Sequence, residues 1–456
     1  MPVRAPEGST RGAADLVLRG GVVRTITDQH PDATAIALRG GRIVHVGDDR
    51  EVLAHAGPGT GIIDLSGRAV LPGINDAHLH ATWLGALWPR TLFDGDSARP
   101  WNPLRTNEQR RAAILRAGEL LSSLGITSYT EPGLGPGEDD GPTGAFGSSV
   151  VGLYRELAAE GRLNARVTVL SLYGELDGRS SLPDVLAGLA AHRSSADPRW
   201  LRFAGVKIFA DGIPPMRSAY TNCCYADGTA ASLLVDGDDD ADREGNLARM
   251  VAAAHRAGLQ VGVHATGDRS IDVVLDAVER AQAERAADLG HYVIHGDMAN
   301  SAQLQRMAAL GVGLDVQPGI ALRTRDQVDA VLGPGSAAAF WRLGEALERG
   351  VRMCVTSDAP VLSPDWRCQI AAADEWLGPA SDLRQRMAQL LRCCTAEPAS
   401  QDGAAAWKGV LAPGMAADLC VLAADPLAVA PGELPEVDVD LTVVDGRIVH
   451  DRTGIG

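Results

Sequence analysis

Leu71-Pro72-Gly73-Ile74-Asn75-Asp76-Ala77-His78-Leu79-His80 ends an apolar run with two histidines one residue apart. On a strand, side chains alternate with a period of two, so His78 and His80 project to one face while Leu79 packs behind them. Two neutral imidazoles held this way bind one divalent metal ion. A His-X-His pair also falls on strands by chance, so the remaining ligand candidates must decide between the two readings.

Outward from this stretch the rhythm changes on both sides. Residues 14–70 carry short β-branched runs separated by glycine turns (LVLRGGVVRTI, TAIALRGGRIVHVG, GIIDLSGRAV), which read as a small β-rich unit. The same rhythm returns at 417–427 and 439–451, where Gly-Arg-Ile-Val-His at 446–450 echoes Gly-Arg-Ile-Val-His at 41–45. The two ends are therefore expected to form one discontinuous sheet domain, a small β-sandwich built from residues 1–70 and 401–456. Residues 71–400 are inserted into it. Within the insert, apolar runs that read as strands end near His80, Glu131, Tyr173, Ala210, His264, His295, Gln317 and Asp358, each followed by a helical pattern such as SIDVVLDAVERAQAE. Eight strands alternating with eight helices predict an α/β fold, a parallel (β/α)8 TIM-like barrel. Two connections are long: 81–106, rich in Trp, Pro and Gly, and 212–240, with Pro214-Pro215 and Cys223-Cys224. Both read as lids, because both leave strand ends that carry candidate ligands. The run Asp238-Asp239-Asp240 reads as a solvated turn or helix start.

In such a barrel, polar residues at the C-terminal strand ends point into a common mouth. Strand 1 supplies His78 and His80, strand 5 His264, strand 6 His295 and strand 8 Asp358. Strand 4 places Lys207 inside an apolar run, where an ammonium is disfavoured unless its charge is used or removed. Carbamylation by CO2 would make that lysine an anionic oxygen ligand able to bridge two metals. Glu131 ends strand 2 as an extra ligand, a bridging carboxylate or a hydrogen-bonding residue. Each has a bland alternative: a strand-end histidine hydrogen-bonded in the core, Lys207 snorkelling or paired with Asp211, Asp358 capping a turn. Their joint placement at one barrel mouth favours the metal reading. His291 shares strand parity with His295 but lies at the wrong end and reads as structural. Asp268 follows His264 and reads as an N-cap or as support for the ligands.

Composition narrows the partners. Hydrophobic residues make up 45% and charged residues 22% of the 456, as in a folded globular chain. A net charge of -16 argues against nucleic acid and against an anionic membrane surface. No apolar run has signal-peptide or membrane-spanning length, and the expected location is the cytoplasm. Seven cysteines, two pairs of them adjacent, read as free thiols in a reducing compartment.

At these residues the chain resembles the amidohydrolase superfamily, and within it the YtcJ-like metal-dependent hydrolases (amidohydrolase family 3), which include N-substituted formamide deformylases. The segments that carry the resemblance are GGRIVHVGDD, LPGINDAHLH, GITSYTEPG, GVKIFADG, VHATGDRSIDVVLDA, HYVIHGD, SDAPV and GVLAPGMAADLCVLAADPL. It implies that His78 and His80 are the first metal pair, Lys207 the carbamylated-lysine position, His264 and His295 further ligands and Asp358 the strand-8 aspartate. The implied activity is hydrolysis of an amide or amide-like C–N bond, not a peptide bond, in a small molecule. One or two divalent ions, zinc first, would activate the water, Asp358 would carry the proton, and His295 or His264 would polarise the carbonyl. A deaminase or amidine hydrolase on the same barrel is the alternative, and a non-catalytic scaffold a third reading that the full ligand set argues against. Departures from the family pattern occur at VIHGD, at Gln317-Pro318-Gly319, at GIPPMRSAYTNCC and at Met415, where a lysine is usual. The first two lie at the pocket, so the substrate is not transferable from relatives, while Met415 lies in the small domain and affects packing. Trp83, Trp88, Trp101, Arg217, Tyr220 and Arg323 fall on or near mouth loops. A homodimer is left open.

Overall fold

Eight parallel strands follow one another around the barrel in chain order: β1 Ile74–Asp76, β2 Ile126–Leu134, β3 Arg166–Leu172, β4 Leu201–Phe209, β5 Gln260–Ala265, β6 Tyr292–His295, β7 Gly313–Val316 and β8 Met353–Val355. The computed structural model describes residues 12–27, 32–93 and 102–456. The strands are buried nearly throughout, as expected where helices cover one face and barrel side chains fill the other. Helix Asp268–Glu284 illustrates the outer layer. Its buried Ile271, Val274, Leu275, Val278 and Ala281 recur every three or four residues and so share the face turned to the strands. Each fully buried aliphatic side chain of this kind contributes about 2 kcal/mol.

β1 and β8 close the ring beyond their strand ends. Asp358 N–H donates to the His78 carbonyl (2.9 Å) and His80 N–H to the Ala359 carbonyl (2.7 Å). At the other end of this seam, Asn75 N–H donates to the carbonyl of Cys394 (2.9 Å), so the chain after the last barrel helices fills the gap.

The chain ends build two further sheets. One has four strands, in the order Arg42–Gly47, Ala35–Arg39, Leu16–Arg19, Gly61–Asp64. The other has six: Arg447–Asp451, Val439–Val444, Leu419–Leu422, Ala69–Pro72, Val22–Arg24 and Asp32–Ala33. The two ends meet where Ala69–Pro72 pairs antiparallel with Leu419–Leu422. Both sheets share one apolar core that includes Leu18, Ile36, Ile43, Val70, Leu419 and Leu441. The two Gly-Arg-Ile-Val-His segments do not lie in one sheet. Each is the second arm of its own hairpin, after turns Gly40-Gly41 and Asp445-Gly446 whose residues all have positive φ, as two-residue hairpin turns demand. The turns adjoin through Ala417, whose N–H donates to Gly41 and whose carbonyl accepts from Gly446. Met415 packs at the margin of this core, away from the barrel mouth.

Candidate metal centre

β1 ends at Asp76, so His78 and His80 lie just beyond the strand rather than on it. The segment leaves the sheet to bond across the seam to residues 358–359, and His80 then precedes helix Ala81–Leu87. The rings nevertheless face one site, edge to face with centroids 5.4 Å apart. Asp358 arrives from the opposite side of the seam. Its Oδ1 lies 3.2 Å from His78 Nε2 and 3.5 Å from His80 Nε2. One ligating atom from each of these three buried residues falls within 4.8 Å of the others.

The electrostatics follow from burial and from these contacts. Burial pushes His78 down to about 3, against the pull of Asp358. Burial also opposes charge on His80, but the Asp358 and Glu131 carboxylates outweigh it and raise this imidazole to about 9. Asp358 stays well below the usual carboxylate range, since His78, His80 and His295 overcome its desolvation. These opposing effects keep Asp358 as the carboxylate that both imidazoles face, and a proton on His80 would have to leave before that ring could hold a cation. Nδ1 of His78, Nδ1 of His80 and Oε1 of Glu131 are buried with no hydrogen-bond partner. Such orphans are costly in a closed core, and two imidazoles with carboxylates are a donor set that suits a divalent cation. The residues therefore fit a metal.

Glu131 sits in mid β2, fully buried. Its Oε2 accepts from Tyr154 Oη–H (3.1 Å) and from Thr82 N–H at the start of helix Ala81–Leu87 (3.3 Å). Its Oε1 lies 3.5 Å from His80 Nδ1. With one oxygen committed to the protein and the other facing an imidazole, Glu131 is arranged to orient His80.

His264 and His295 form a second group, with ring centroids 4.4 Å apart and His295 5.6 Å from His78. Gln317 Nε2 donates to Thr356 Oγ1, so its Oε1 accepts from His295 Nδ1–H at 2.7 Å, which leaves the Nε2 lone pair free. His264 Nε2–H donates to the Gly212 carbonyl (3.1 Å) and leaves Nδ1 free. Burial lowers both, His295 to about 4 and His264 well below the ordinary imidazole value. His295 and Asp358 both have left-handed backbone, φ 72° and 54°. That costs about 1 to 2 kcal/mol per residue and is a mark of constrained functional sites.

Lys207 is 2% exposed and neither snorkels nor pairs with Asp211. Asp211 is occupied elsewhere: it accepts from the N–H groups of Tyr220, Thr266 and Gly267 and from Ser270 Oγ–H. Lys207 Nζ instead lies 4.5 Å from the Phe209 ring centroid. Burial lowers its ammonium to about 8, opposed by Asp358, Asp177 and Asp315.

Other expectations resolve as follows. Asp268 is the first helical residue and not the N-cap, which is Gly267; its carboxylate accepts from Asn222 N–H and Nδ2–H and so ties down the 212–240 connection. That connection also bonds to helix Pro318–Leu332 through Ala226 N–H and the Val331 carbonyl. Asp239 caps helix Asp240–Arg256. The stretch 81–106 is not loop throughout, since Ala81–Leu87 is helical and packs on helix Asn107–Ser123. Of the mouth residues, Arg217 pairs with Asp227, Tyr220 with Glu244, Trp83 packs on Phe146, Arg323 lies over Phe93 and Trp88 is exposed. Trp101 lies outside the described residues. His291 stays at the far end of the barrel, bonded to His255 and Val261. All seven cysteines are free. A cavity of about 670 Å³ between helices Ser148–Ala159 and Leu182–Ala191 contains none of the ligand candidates. Tyr154 and the anchoring role of Gln317 were not legible from the sequence. One available signal was: Lys207 and Lys408 are the only lysines in the chain.

Comparison with known proteins places the chain in a family and a fold. A family model described as "Amidohydrolase family" matches residues 89–450. The chain is 27% identical to the N-substituted formamide deformylase of Arthrobacter pascens, over 96% of this chain and 99% of that one. It is 23% identical to the putative amidohydrolase YtcJ of Bacillus subtilis (strain 168), with the same coverage. The solved structure of an uncharacterized metal-dependent hydrolase from Pyrococcus furiosus superposes with a TM-score of 0.72 at 22% identity, covering 90% of this chain and 99% of that one.

Proposed function

The chain belongs to the amidohydrolase family, and from that premise we propose that it hydrolyses an amide or amide-like C–N bond, other than a peptide bond, in a small molecule. The observation that carries the reading is the buried cluster of His78, His80 and Asp358 at the barrel mouth, with partnerless donor atoms beside it. These three would hold a divalent ion, zinc by ligand preference, and His264 and His295 would complete or double the centre. When bound, the ion supplies Lewis-acid polarisation and makes water acidic enough to attack near neutral pH.

The chain's own groups do the rest. Both close contacts of Asp358 use Oδ1, which leaves Oδ2 to take the proton of the attacking water and return it to the leaving nitrogen as the C–N bond breaks. Glu131 orients His80, and Gln317 orients His295. Neutral His264 and His295 present lone pairs rather than protons, so we read them as ligands and not as donors to the substrate carbonyl. Burial holds Lys207 towards the neutral amine, the form whose nitrogen attacks CO2 to give a carbamate and a proton. An arginine could not do this, since its guanidinium stays charged. In a chain with two lysines among 42 basic residues, a lysine at this position supports the carbamate reading.

Free cysteines, and the lack among the described residues of any helix long and apolar enough to cross a membrane, are consistent with the expected cytoplasmic location. The test is metal analysis of the purified protein coupled to a hydrolysis screen of N-formyl compounds first, then N-acyl, ureido and cyclic amides. One or two bound ions and hydrolysis that a chelator abolishes are expected. Undiminished activity in metal-free protein would overturn the reading.

A further inference from the structure

At the N-terminal ends of β3 and β4, opposite the mouth, lies a cavity of about 260 Å³. Four of its lining residues are cations, Arg166, Arg199, Arg202 and Lys408, and one, Asp402, is an acid. In a chain of net charge -16, that local excess of positive charge calls for an account.

The four cations divide into two pairs. Arg166 and Lys408 are already matched within the protein. Arg166 is buried, hydrogen-bonds Asp418 and Asp445, and lies 4.9 Å from the Trp200 ring centroid and 5.1 Å from that of Trp407. Lys408 Nζ donates to Asp402 (2.6 Å), whose carboxylate also accepts from Asn75 of β1 and Thr130 of β2. The acid in the cavity wall is thereby neutralised.

Arg199 and Arg202 are different. Among the described residues, neither guanidinium has a hydrogen bond or an ion pair. Both are nevertheless held at their roots. Arg199 N–H donates to Asp197 (2.9 Å), its carbonyl accepts from Arg166 Nη1–H (3.1 Å), and its guanidinium lies 5.8 Å from the Trp407 ring centroid. Arg202, half-buried, stands at the start of β4 beside Thr168 of β3. A Cβ on Gly403 would fall 3.2 Å from Arg202 Nη1, so the glycine makes room for the guanidinium. Two cations with open donors thus share one small cavity, and no carboxylate relieves their repulsion.

We propose that this cavity is a binding site for a phosphate dianion, free or carried on a small ester, held by Arg199 and Arg202 and separate from the hydrolytic centre. Each guanidinium presents a planar fork that matches two phosphate oxygens. A phosphate brings two negative charges and enough oxygens for both forks, whereas a carboxylate brings one charge and two oxygens. The volume lies below the range of about 300 to 1,000 Å³ that suits drug-sized ligands, which favours a small ion over an extended molecule.

The experiment is calorimetric titration of the full-length protein with inorganic phosphate and with methyl phosphate, in about 0.15 M sodium chloride so that long-range attraction is screened. The parent is expected to bind one phosphate per chain with a dissociation constant on the order of 1 mM or below, the strength that a few charge-assisted contacts supply. Arg199→Gln and Arg202→Gln are each expected to weaken binding at least about tenfold, with unchanged melting temperature in phosphate-free buffer. His78→Ala is expected to bind phosphate as the parent does, since Arg202 lies five residues along β4 from Lys207, roughly 16 Å away. Tighter binding of methyl phosphate would assign the site to small phosphate esters, and tighter binding of the free ion to inorganic phosphate; either upholds it. Absence of saturable binding by the parent overturns the proposal. So does binding that both arginine variants retain, or binding that His78→Ala loses, which would put the ion at the mouth.

Discussion

The two lysines of this chain stand at opposite ends of one barrel, and they are buried in opposite ways. Lys408, near the N-terminal ends of the strands, places Nζ 2.6 Å from Asp402, whose carboxylate also accepts from Asn75 Nδ2–H. Lys207, at the mouth, has an aromatic ring and no ion-pair partner among the described residues. Other polar groups follow the contrast in part, since Asn75 Oδ1, Asp315 Oδ2 and Arg352 Nε are also buried without a hydrogen-bond partner. At the floor, Arg166 makes two hydrogen bonds to Asp418 and one to Asp445, and His291 and His255 form a chain that ends on the Arg285 carbonyl. At the mouth, two histidine nitrogens and a glutamate oxygen are left over. Folding alone would select against the second pattern, because unmet buried groups cost more than met ones return. What sets the mouth apart is that its leftover atoms are gathered on facing imidazoles and a carboxylate, the side-chain types that hold a divalent ion.

Substitutions at the two ends should therefore fail differently. The largest effect is expected for His78→Ala, which removes a ligand of the cluster: bound metal should be lost and hydrolysis should fall more than about 1,000-fold, with little change in melting temperature. Full metal occupancy in this variant would break the contrast at its strongest point. Asp358→Asn keeps one weak oxygen donor beside the histidines, so it should retain most of its metal while turnover falls about 100- to 10,000-fold, the usual worth of a general base. A near-parental rate would pass the proton role to a histidine.

Next comes the lysine pair itself. Lys207→Ala should lose activity and regain part of it with added short-chain carboxylates. Parent protein supplied with 13C-bicarbonate should give a single carbamate signal, because no other internal lysine is free to react. Lys408→Met, by contrast, should leave kcat unchanged and destabilise the protein by about 3 kcal/mol in urea unfolding, because it strands a buried carboxylate. A Lys408 variant that loses activity but not stability would erase the distinction. The smallest effect is expected for Glu131→Gln, which keeps the bond to Thr82 but weakens the hold on His80. Metal affinity measured by competition with a chelator should drop about 10- to 100-fold.

The barrel was legible because parallel strands read as apolar runs and their helices as 3.6-residue periods, as in SIDVVLDAVERAQAE. His264, His295 and Asp358 were legible because polar residues at strand ends stand out against such runs. Less could be read where side chains answer to partners distant in sequence. That the histidine pair leaves β1 depends on residues 358–359, and that Asp211 is unavailable to Lys207 depends on the β5 connection. The Gly-Arg-Ile-Val-His repeat suggested one sheet because hairpin arms look alike whichever sheet they border.

The seam between β1 and β8 also sets a timetable. Asp358 follows His78 by 280 positions (358 minus 78), and the two are joined directly through backbone hydrogen bonds. At about 5 to 20 residues per second, a ribosome delivers the second partner roughly 15 to 55 s after the first. Until then the emerging chain carries a histidine pair with no aspartate opposite, and the strand Ala69–Pro72 beside it still awaits Leu419–Leu422. Capture of an ion by the three proposed ligands would therefore wait until the ring and the end sheet can shut together, and a chain stalled short of Asp358 would carry two histidines but no complete site.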